Sequence, residues 1–283
     1  MIKNFELFFK NLKPTIMDVE DYVDYKKVVS NVNKRYEELE ILNTVLNDPE
    51  PTKRLELIFK QNPSIKTLIP NLIAIRKSII QTINEEIKIS ENTSIDEVIR
   101  IIDRSGIIRF FQENKVKSII DYLIGLEVGM DTNARKNRVG SLMEAKCKEI
   151  LDKKNVKFHT QVRLKNLAKV FSEDVFKEFL EVFDDKVADK ILDFAIEFEG
   201  FYYLMEVNFY GSSGSKLNET CKSYIYLSEK INKFKNVKFI WITDGLGWKN
   251  TKNQIKEAYE RIDFLFNLKE FEKNDFKKLI GGN

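Results

Sequence analysis

Two runs of aromatic and β-branched residues, separated by Glu199-Gly200, constrain the fold of this chain more than any other feature. The first run is Ile-Leu-Asp-Phe-Ala-Ile-Glu-Phe at 191–198, and the second is Phe-Tyr-Tyr-Leu-Met-Glu-Val-Asn at 201–208. Such runs around a two-residue turn that contains glycine are typical of an antiparallel hairpin. Counting outward from the turn places Asp193 directly opposite Glu206.

This pairing brings two carboxylates together. Opposed side chains in an antiparallel ladder lie about 4.5–5.5 Å apart at Cβ, so Asp193 and Glu206 would repel each other unless a cation lay between them. Carboxylate oxygens are the ligands that hard divalent cations prefer. Asn208 lies two residues beyond Glu206 and therefore projects from the same face. Because unpaired acids in such apolar surroundings are costly, we predict a metal site here rather than two solvent-facing acids.

The composition excludes several classes of protein. The 283 residues are 43% hydrophobic and 32% charged with a net charge of +3, which indicates a globular chain without a global signature of nucleic-acid binding. The two cysteines, Cys147 and Cys221, lack ligand-type spacing and are predicted to be core thiols in a reducing compartment. The single histidine, His159, argues against a Ser-His-Asp hydrolase. Without a signal peptide or a long apolar run, we expect a cytoplasmic protein with no membrane span.

The predicted secondary structure changes near residue 130, from helices alone to a mixture of helices and strands. All five prolines lie at or before position 70, and the preceding part is predicted to be helical at 18–48, 52–61, 64–88, 95–104 and 115–126. A charged loop is expected at 131–138. The rest alternates in type, with helices at 139–153, 217–234 and 250–261, strands at 156–164, 237–243 and 262–266, a helix or loop at 172–182, and a final helix. This order predicts a mixed α/β fold.

Three blocks of the sequence resemble the DpnII/MboI-type restriction endonucleases. They are Glu127–Arg138, Glu206–Glu219 and Trp241–Trp248, and they occur in the same order. The resemblance implies a PD-(D/E)xK nuclease core at 129–283, with a central mixed sheet flanked by helices. It leaves 1–128 as a helical region that clamps DNA or makes dimer contacts. It also implies Mg²⁺-dependent cleavage of double-stranded DNA at GATC.

Two positions depart from the core motif. Leu192 stands where the motif has proline before Asp193, and Asn208 stands where it has lysine. Asparagine can orient a water by hydrogen bonding but supplies no charge. Lys216 is a candidate replacement cation, although it could equally contact a DNA phosphate.

The remaining candidates surround this pair of acids. Glu144 lies on the helix before the strands, where nucleases of this core often have another metal ligand; the alternative is an ordinary solvated glutamate. The loop Gly211–Lys216 opens a helix and could hold a phosphate or be a flexible connector. Arginine suits guanine and asparagine suits adenine in the major groove, but phosphate contacts or a solvated loop explain a basic cluster equally well. The predicted DNA contacts are Arg135, Lys136, Arg138, Ser215, Lys216, Asn218, Lys249 and Asn250.

These observations predict a type II restriction endonuclease that acts on unmethylated GATC sites. Asp193, Glu206 and Asn208 are the expected catalytic residues, and Asp193, Glu206 and Glu144 the expected Mg²⁺ ligands. A palindromic target favours a homodimer, and a companion adenine methyltransferase is implied genetically. Two alternatives remain: a non-cleaving DNA-binding or regulatory protein on a decayed nuclease core, and a repair or mismatch endonuclease of the same core.

Overall fold

The computed structural model describes residues 3–113, 115–171, 183 and 185–280. Their contacts divide the chain into two compact units, one formed by Asp18–Lys136 and the other by Met1–Met17 together with Asn137–Asn283. The sequence-based division kept residues 1–17 with the N-terminal helices. The structure groups them, including the first helix α1 (Phe5–Lys10), with the C-terminal part of the chain.

The unit Asp18–Lys136 consists mostly of helices around a core of its own. Ser94 begins one of them as predicted, since its side chain accepts a hydrogen bond from the Glu97 amide at 3.2 Å. The helices are α2 (Tyr25–Asn33), α3 (Tyr36–Asn43), α4 (Pro51–Gln61), α5 (Ile69–Leu72), α6 (Ile95–Ser105), α7 (Ile107–Gln112) and the first part of α8 (Ile119–Lys153), with 3-10 turns at Val19–Asp21 and Pro63–Leu68.

The expectation of a helix over 64–88 is wrong. Its second half forms a hairpin of β1 (Ile79–Gln81) and β2 (Glu86–Lys88). Each strand buries one isoleucine, Ile80 or Ile87, between exposed or half-buried neighbours. The strands are too short for their alternation of buried and exposed residues to stand out, because the isoleucines of this stretch also fit a helical repeat.

The predicted loop at 131–138 is also wrong, because α8 runs without a break from Ile119 to Lys153. Asp131, at the start of this stretch, and Glu127, one turn before it, have partners inside their own unit. Asp131 is buried, and its carboxylate accepts a hydrogen bond from the Asp24 amide at 3.1 Å. Glu127 is buried as well and forms an ion pair with Arg76 at 3.0 Å. The charged side chains of Asp131 and Glu127 are therefore buried against partners rather than exposed to solvent.

The second unit contains the five-stranded sheet that positions the candidate site. The strands lie side by side in chain order: β3 (Phe158–Arg163), β4 (Ile191–Phe198), β5 (Phe201–Phe209), β6 (Val237–Asp244) and β7 (Phe264–Phe266). The pairs β3–β4 and β4–β5 are antiparallel, and β5–β6 and β6–β7 are parallel. The predicted mixed sheet is confirmed.

Helices pack on both faces of this sheet. They are the second part of α8, α9 (Leu167–Phe171), α10 (Asp185–Ala188), α11 (Ser215–Ile231), α12 (Lys252–Arg261), α13 (Leu268–Lys273) and α14 (Phe276–Ile280), with 3-10 turns at Leu164–Asn166 and Leu246–Thr251. One core includes Trp241 and Cys221 of α11; the other includes Met205 and Cys147 of α8. Both thiols are buried as predicted. The predicted helix or loop at 172–182 lies outside the described residues.

The carboxylate of Asp244, at the end of β6, ties distant segments to the sheet. It is fully buried and accepts hydrogen bonds from the backbone amides of Lys13 at 2.6 Å and Leu268 at 3.1 Å. This explains how the first residues of the chain join the second unit. No helix within the described residues has the length and apolar character required to cross a bilayer.

Candidate active site

The hairpin of β4 and β5 carries the two predicted acids. Its turn, Glu199-Gly200, has φ angles of 48° and 79°, the left-handed pair that a tight two-residue hairpin turn requires. The predicted register is confirmed from Phe198↔Phe201 to Phe194↔Met205. Asp193 and Glu206 would be the next pair, but the ladder ends before them.

The regular pairing is interrupted at Asp193 on both sides. Toward β3, Thr160↔Phe194 and Val162↔Leu192 are paired, and the described register skips the position between them. Leu192 and Ala195 face the same core although they are three residues apart, so the alternation of faces slips between them. The freed Asp193 carboxylate accepts a hydrogen bond from the backbone amide of Val207 at 2.8 Å.

Gln161, at the matching interruption in β3, connects Asp193 to the predicted ligand Glu144. Its side-chain nitrogen Nε2 lies 2.9 Å from Glu144 Oε2 and 3.5 Å from Asp193 Oδ1. Burial raises the pKa of Glu144, and the charge of Asp193 raises it further. Burial also raises the pKa of Asp193, although the Val207 amide and the positive charge of Lys190 oppose the shift. The structure thus brings two of the three predicted metal ligands to one amide group.

Glu206 lies on the neighbouring strand and is buried. Tyr224 of α11 donates a hydrogen bond to its Oε2 at 2.5 Å. Lys190 Nζ forms an ion pair with Oε1 at 3.1 Å, and among the described residues this oxygen has no further hydrogen-bond donor. Burial raises the pKa of Glu206 to about 7, with Lys190 opposing and Asp193 adding to the shift. The cost of burying this carboxylate is therefore only partly offset.

Asn208 supports Glu206 from the same strand. Its Oδ1 accepts a hydrogen bond from Trp241 Nε1 at 2.9 Å. The pKa of Tyr224 is raised well above its ordinary value by burial and by Glu206, and a hydrogen bond with Asn208 opposes that rise. The side chains of Trp241, Asn208, Tyr224 and Glu206 thus form one connected polar chain along the sheet.

Two loops meet beyond the ends of the parallel strands β5 and β6. Gly247 donates its amide to the Tyr210 carbonyl at 2.7 Å, and a β-carbon on Gly247 would lie 2.5 Å from the Ser212 carbonyl oxygen. The φ of Gly245 is 108°, and a β-carbon there would overlap the Tyr210 backbone. Only glycine fits both positions, because the two loops touch through their backbones.

The predicted contacts Ser215, Lys216, Lys249 and Asn250 lie on or directly after these loops and are exposed, and Asn218 is half-buried. Asn250 donates to Ser213 Oγ at 3.1 Å, so the two loops also share a side-chain hydrogen bond. Trp248, which follows Gly247, is buried and donates its indole N–H to Thr243 Oγ1 at 3.0 Å.

Comparison with known proteins assigns the family. A family model described as DpnII restriction endonuclease matches residues 4–278. The chain is 33% identical over 287 residues to the type II restriction enzyme DpnII of Streptococcus pneumoniae, with 98% of each chain covered. The chain belongs to the DpnII restriction endonuclease family.

Other members of the DpnII family agree with this assignment. The type II restriction enzyme MjaIII of Methanocaldococcus jannaschii is 34% identical over 297 residues, which cover 98% of this chain and 99% of the relative. The type II restriction enzyme MboI of Moraxella bovis is 31% identical over 269 residues, which cover 93% and 92%. The chain is therefore a type II site-specific endodeoxyribonuclease, and the resemblance seen in its sequence is confirmed. No solved structure matches it significantly.

Type II restriction endonucleases typically use divalent metal ions, and the oxygen donors here suit one. No three Asp, Glu, His or Cys side chains among the described residues converge into a ready metal centre. The structure instead offers oxygens in two adjoining pairs, Glu144 with Asp193 and Asp193 with Glu206, each placed close enough to raise a partner's pKa. Hard carboxylate oxygens, one of them buried with only the Lys190 ammonium against it among the described residues, fit a hard cation such as Mg²⁺.

In this DpnII-family chain, the cationic side chain in contact with the acids is Lys190 rather than the candidate Lys216. Lys216 is exposed in the first turn of α11. Lys190, directly before β4, contacts Glu206 and lies with its Nζ 5.1 Å from the centre of the Tyr224 ring. Sequence analysis missed Lys190, although its position three residues before Asp193 was a usable signal.

Gln161 and Tyr224 were missed as well. Gln161 occupies an outward position of an alternating strand, where a polar residue is ordinary. Tyr224 fits the apolar stripe of α11 and reads as a core residue. Neither pattern indicates a functional residue, and only the folded protein brings these two side chains to the carboxylates.

The basic cluster of the DpnII-type block lies within α8. The Arg135 guanidinium lies 5.1 Å from the centre of the Tyr22 ring, and its Nε is buried without a hydrogen-bond partner among the described residues. Arg138 is half-buried, and the side chain of Lys136 lies outside the described part of the structure. A role in DNA binding stays a prediction for all three.

Proposed function

We propose that this endonuclease requires Mg²⁺ and cuts double-stranded DNA at unmethylated GATC sites. The observation that supports metal dependence is the pair of acids on neighbouring strands of the sheet, the half-buried Asp193 and the buried Glu206. The GATC target rests on the resemblance of the three sequence blocks to DpnII/MboI-type enzymes.

Asp193 and Glu206 would hold the ion, and Glu144 would add a ligand. Bound there, Mg²⁺ would stabilise negative charge on the scissile phosphate and lower the pKa of a coordinated water. The protein's own part is to orient these oxygens. The Val207 amide fixes the Asp193 carboxylate, and the Tyr224 hydroxyl fixes that of Glu206. Pre-oriented acids avoid the cost of reorganisation during the reaction.

Asn208 and Lys190 would together replace the lysine of the core motif, one as a hydrogen-bond donor and the other as a positive charge. The Oδ1 of Asn208 is engaged by Trp241, so its NH₂ group would orient the attacking water as a donor. Lys190 would supply the positive charge that asparagine lacks. Its Nζ lies 3.1 Å from Glu206, and its side chain is 29% exposed, so it can reach both the acids and a bound phosphate.

The two loops beyond β5 and β6 would contact DNA beside the acids. Their exposed polar and basic side chains suit phosphate and base edges, and a palindromic target favours a homodimer with one site per strand. We retain as DNA contacts Ser215, Lys216, Asn218, Lys249 and Asn250 from this region, and Arg135, Lys136 and Arg138 from α8.

A restriction enzyme of this kind would act in the cytoplasm together with a companion adenine methyltransferase. Methylation of adenine N6 replaces a hydrogen-bond donor in the major groove with a bulkier group. The host's own GATC sites would thereby be protected, since a pocket shaped for the unmodified base would reject the methylated one.

Digestion of a defined plasmid tests the proposal. Unmethylated and adenine-methylated preparations are incubated with Mg²⁺, with Ca²⁺ or with EDTA, and the fragment ends are sequenced. We expect double-strand cuts at every GATC only in unmethylated DNA with Mg²⁺. Cutting in EDTA would refute metal dependence, ends at other sequences would refute GATC, and equal digestion of both preparations would refute methyl sensitivity.

A further inference from the structure

We propose that Gln161 is a metal-site residue of this enzyme, which joins Glu144 to Asp193 in the free protein and turns its side-chain oxygen to the ion when metal binds. This inference rests on the divalent-metal chemistry proposed above. It adds a residue that neither the sequence motif nor the family relationship assigns.

The first support is the position of the amide. Carboxylates accept hydrogen bonds and cannot donate them when ionised, so the NH₂ group of Gln161 must face both acids. Nε2 lies 2.9 Å from Glu144 Oε2 and 3.5 Å from Asp193 Oδ1. A single donor group therefore occupies the place between two anions that a cation would otherwise fill.

The second support is the backbone. Gln161 has a φ of 53°, a left-handed conformation that is strained for a residue with a β-carbon. Its neighbours Thr160 and Val162 pair normally with β4, so the strain is confined to one residue. Val162 is buried in one core while Phe158 packs against the other. The alternation of side chains between the two faces of the sheet is thus shifted by one residue at Gln161, and the same shift occurs at Asp193 on the neighbouring strand.

The third support is the chemistry of the amide. A glutamine carbonyl oxygen is a good ligand for a hard cation, and the last side-chain torsion has two broad, nearly equivalent minima. Half a turn about it exchanges NH₂ for oxygen without moving the strand. The amide can therefore hold the acids in register without metal and join them as a ligand with metal, whereas a lysine here would only compete with the ion.

Two substitutions separate a ligand from a structural bridge. Gln161→Gly removes the amide and relieves the left-handed strain, but it also adds backbone freedom at this position. Gln161→Glu keeps an oxygen ligand and removes the donor. Gln161→Ala serves as a second truncation if the glycine variant loosens the strand. Gln81→Glu is the matched control, since Gln81 makes a similar amide–carboxylate contact with Glu86 at 3.2 Å, in the other unit.

Calorimetric titration with Mn²⁺, without DNA, is the measurement. We expect Gln161→Gly and Gln161→Ala to weaken Mn²⁺ binding about ten-fold, which corresponds to about 1.4 kcal/mol. Gln161→Glu should bind at least as tightly as the parent but melt at a lower temperature without metal, because three acids then face one another. Gln81→Glu should bind Mn²⁺ like the parent.

The possible results distinguish a failure of this inference from a failure of the proposed metal chemistry. Parent-like Mn²⁺ affinity in Gln161→Gly and Gln161→Ala would overturn this inference alone, as would a Gln161→Glu variant that binds as weakly as the truncations. A parent protein whose Mn²⁺ binding is absent, or unchanged by Asp193→Asn, would overturn the proposed metal chemistry and the inference with it.

Discussion

Replacement of Glu206 by glutamine should stabilise the metal-free protein at alkaline pH while abolishing cleavage. The pKa of Glu206 is raised to about 7, chiefly by burial, from an ordinary value of 4.5. Since each pKa unit corresponds to about 1.4 kcal/mol, the ionised side chain costs the fold about 3 kcal/mol. Glutamine removes that charge, keeps an acceptor for Tyr224, and leaves Lys190 close enough to solvent to turn outward.

The sign of the pH dependence follows from proton linkage. Between pH 4.5 and 7 the folded protein keeps a proton on Glu206 that the unfolded chain has lost, so stability falls as pH rises through this window. The glutamine variant lacks this term. Its advantage over the parent in free energy of unfolding should therefore grow by about 2 kcal/mol between pH 5 and pH 8.

Urea unfolding in EDTA, followed by tryptophan fluorescence, measures this difference. Both tryptophans, Trp241 and Trp248, are buried in the unit that contains Glu206, so the signal reports the relevant unit. Titrating groups that do not interact with Glu206 are common to the two proteins and cancel, and Tyr224, whose pKa lies well above its ordinary value, stays protonated over this range. A difference that stays constant from pH 5 to pH 8, or a variant that loses stability relative to the parent as pH rises, would refute the burial argument.

Three further substitutions test the site and its support. Asp193→Asn should keep the fold and lower Mg²⁺-dependent cleavage more than about a hundred-fold, since metal-assisted charge stabilisation is worth several kcal/mol; parent-like rates would remove Asp193 from the site. Asn208→Leu should lower stability by about 1–3 kcal/mol, because it leaves the Trp241 N–H buried and unpaired, and should reduce cleavage. Equal melting temperatures would contradict the bond. Gly245→Ala should cost about 2 kcal/mol or more, since its β-carbon meets the Tyr210 backbone; an unchanged melting temperature would show that the loops adjust freely.

Local pattern was sufficient to predict the central part of the second unit. The hairpin, its turn and its register followed from alternation and one glycine-containing turn, because these depend on neighbours in the chain. The same pattern put Asp193 and Glu206 on adjacent strands. Three blocks of sequence also indicated the family, which the comparisons confirmed.

Elsewhere the same kind of reasoning failed, because a polar residue that was expected to be exposed to solvent is buried in the structure. Asp131 was expected to lie in a charged loop, yet it is buried in a helix against the amide of Asp24, far away in the chain. Period alone could not distinguish helix from hairpin around Ile80 and Ile87. In each case the deciding partner lies many residues away, where local pattern carries no information.

The amino-acid sequence by itself determined the strands of the five-stranded sheet, the two acids on its central hairpin and the nuclease family, since each depends on short-range order along the chain. Only the tertiary structure showed that Gln161, Lys190 and Tyr224 surround those acids. These three residues come from β3, from the segment before β4 and from α11. Their meeting depends on how sheet and helix pack, and on the slip of alternation at Asp193, which no pattern along one strand could reveal.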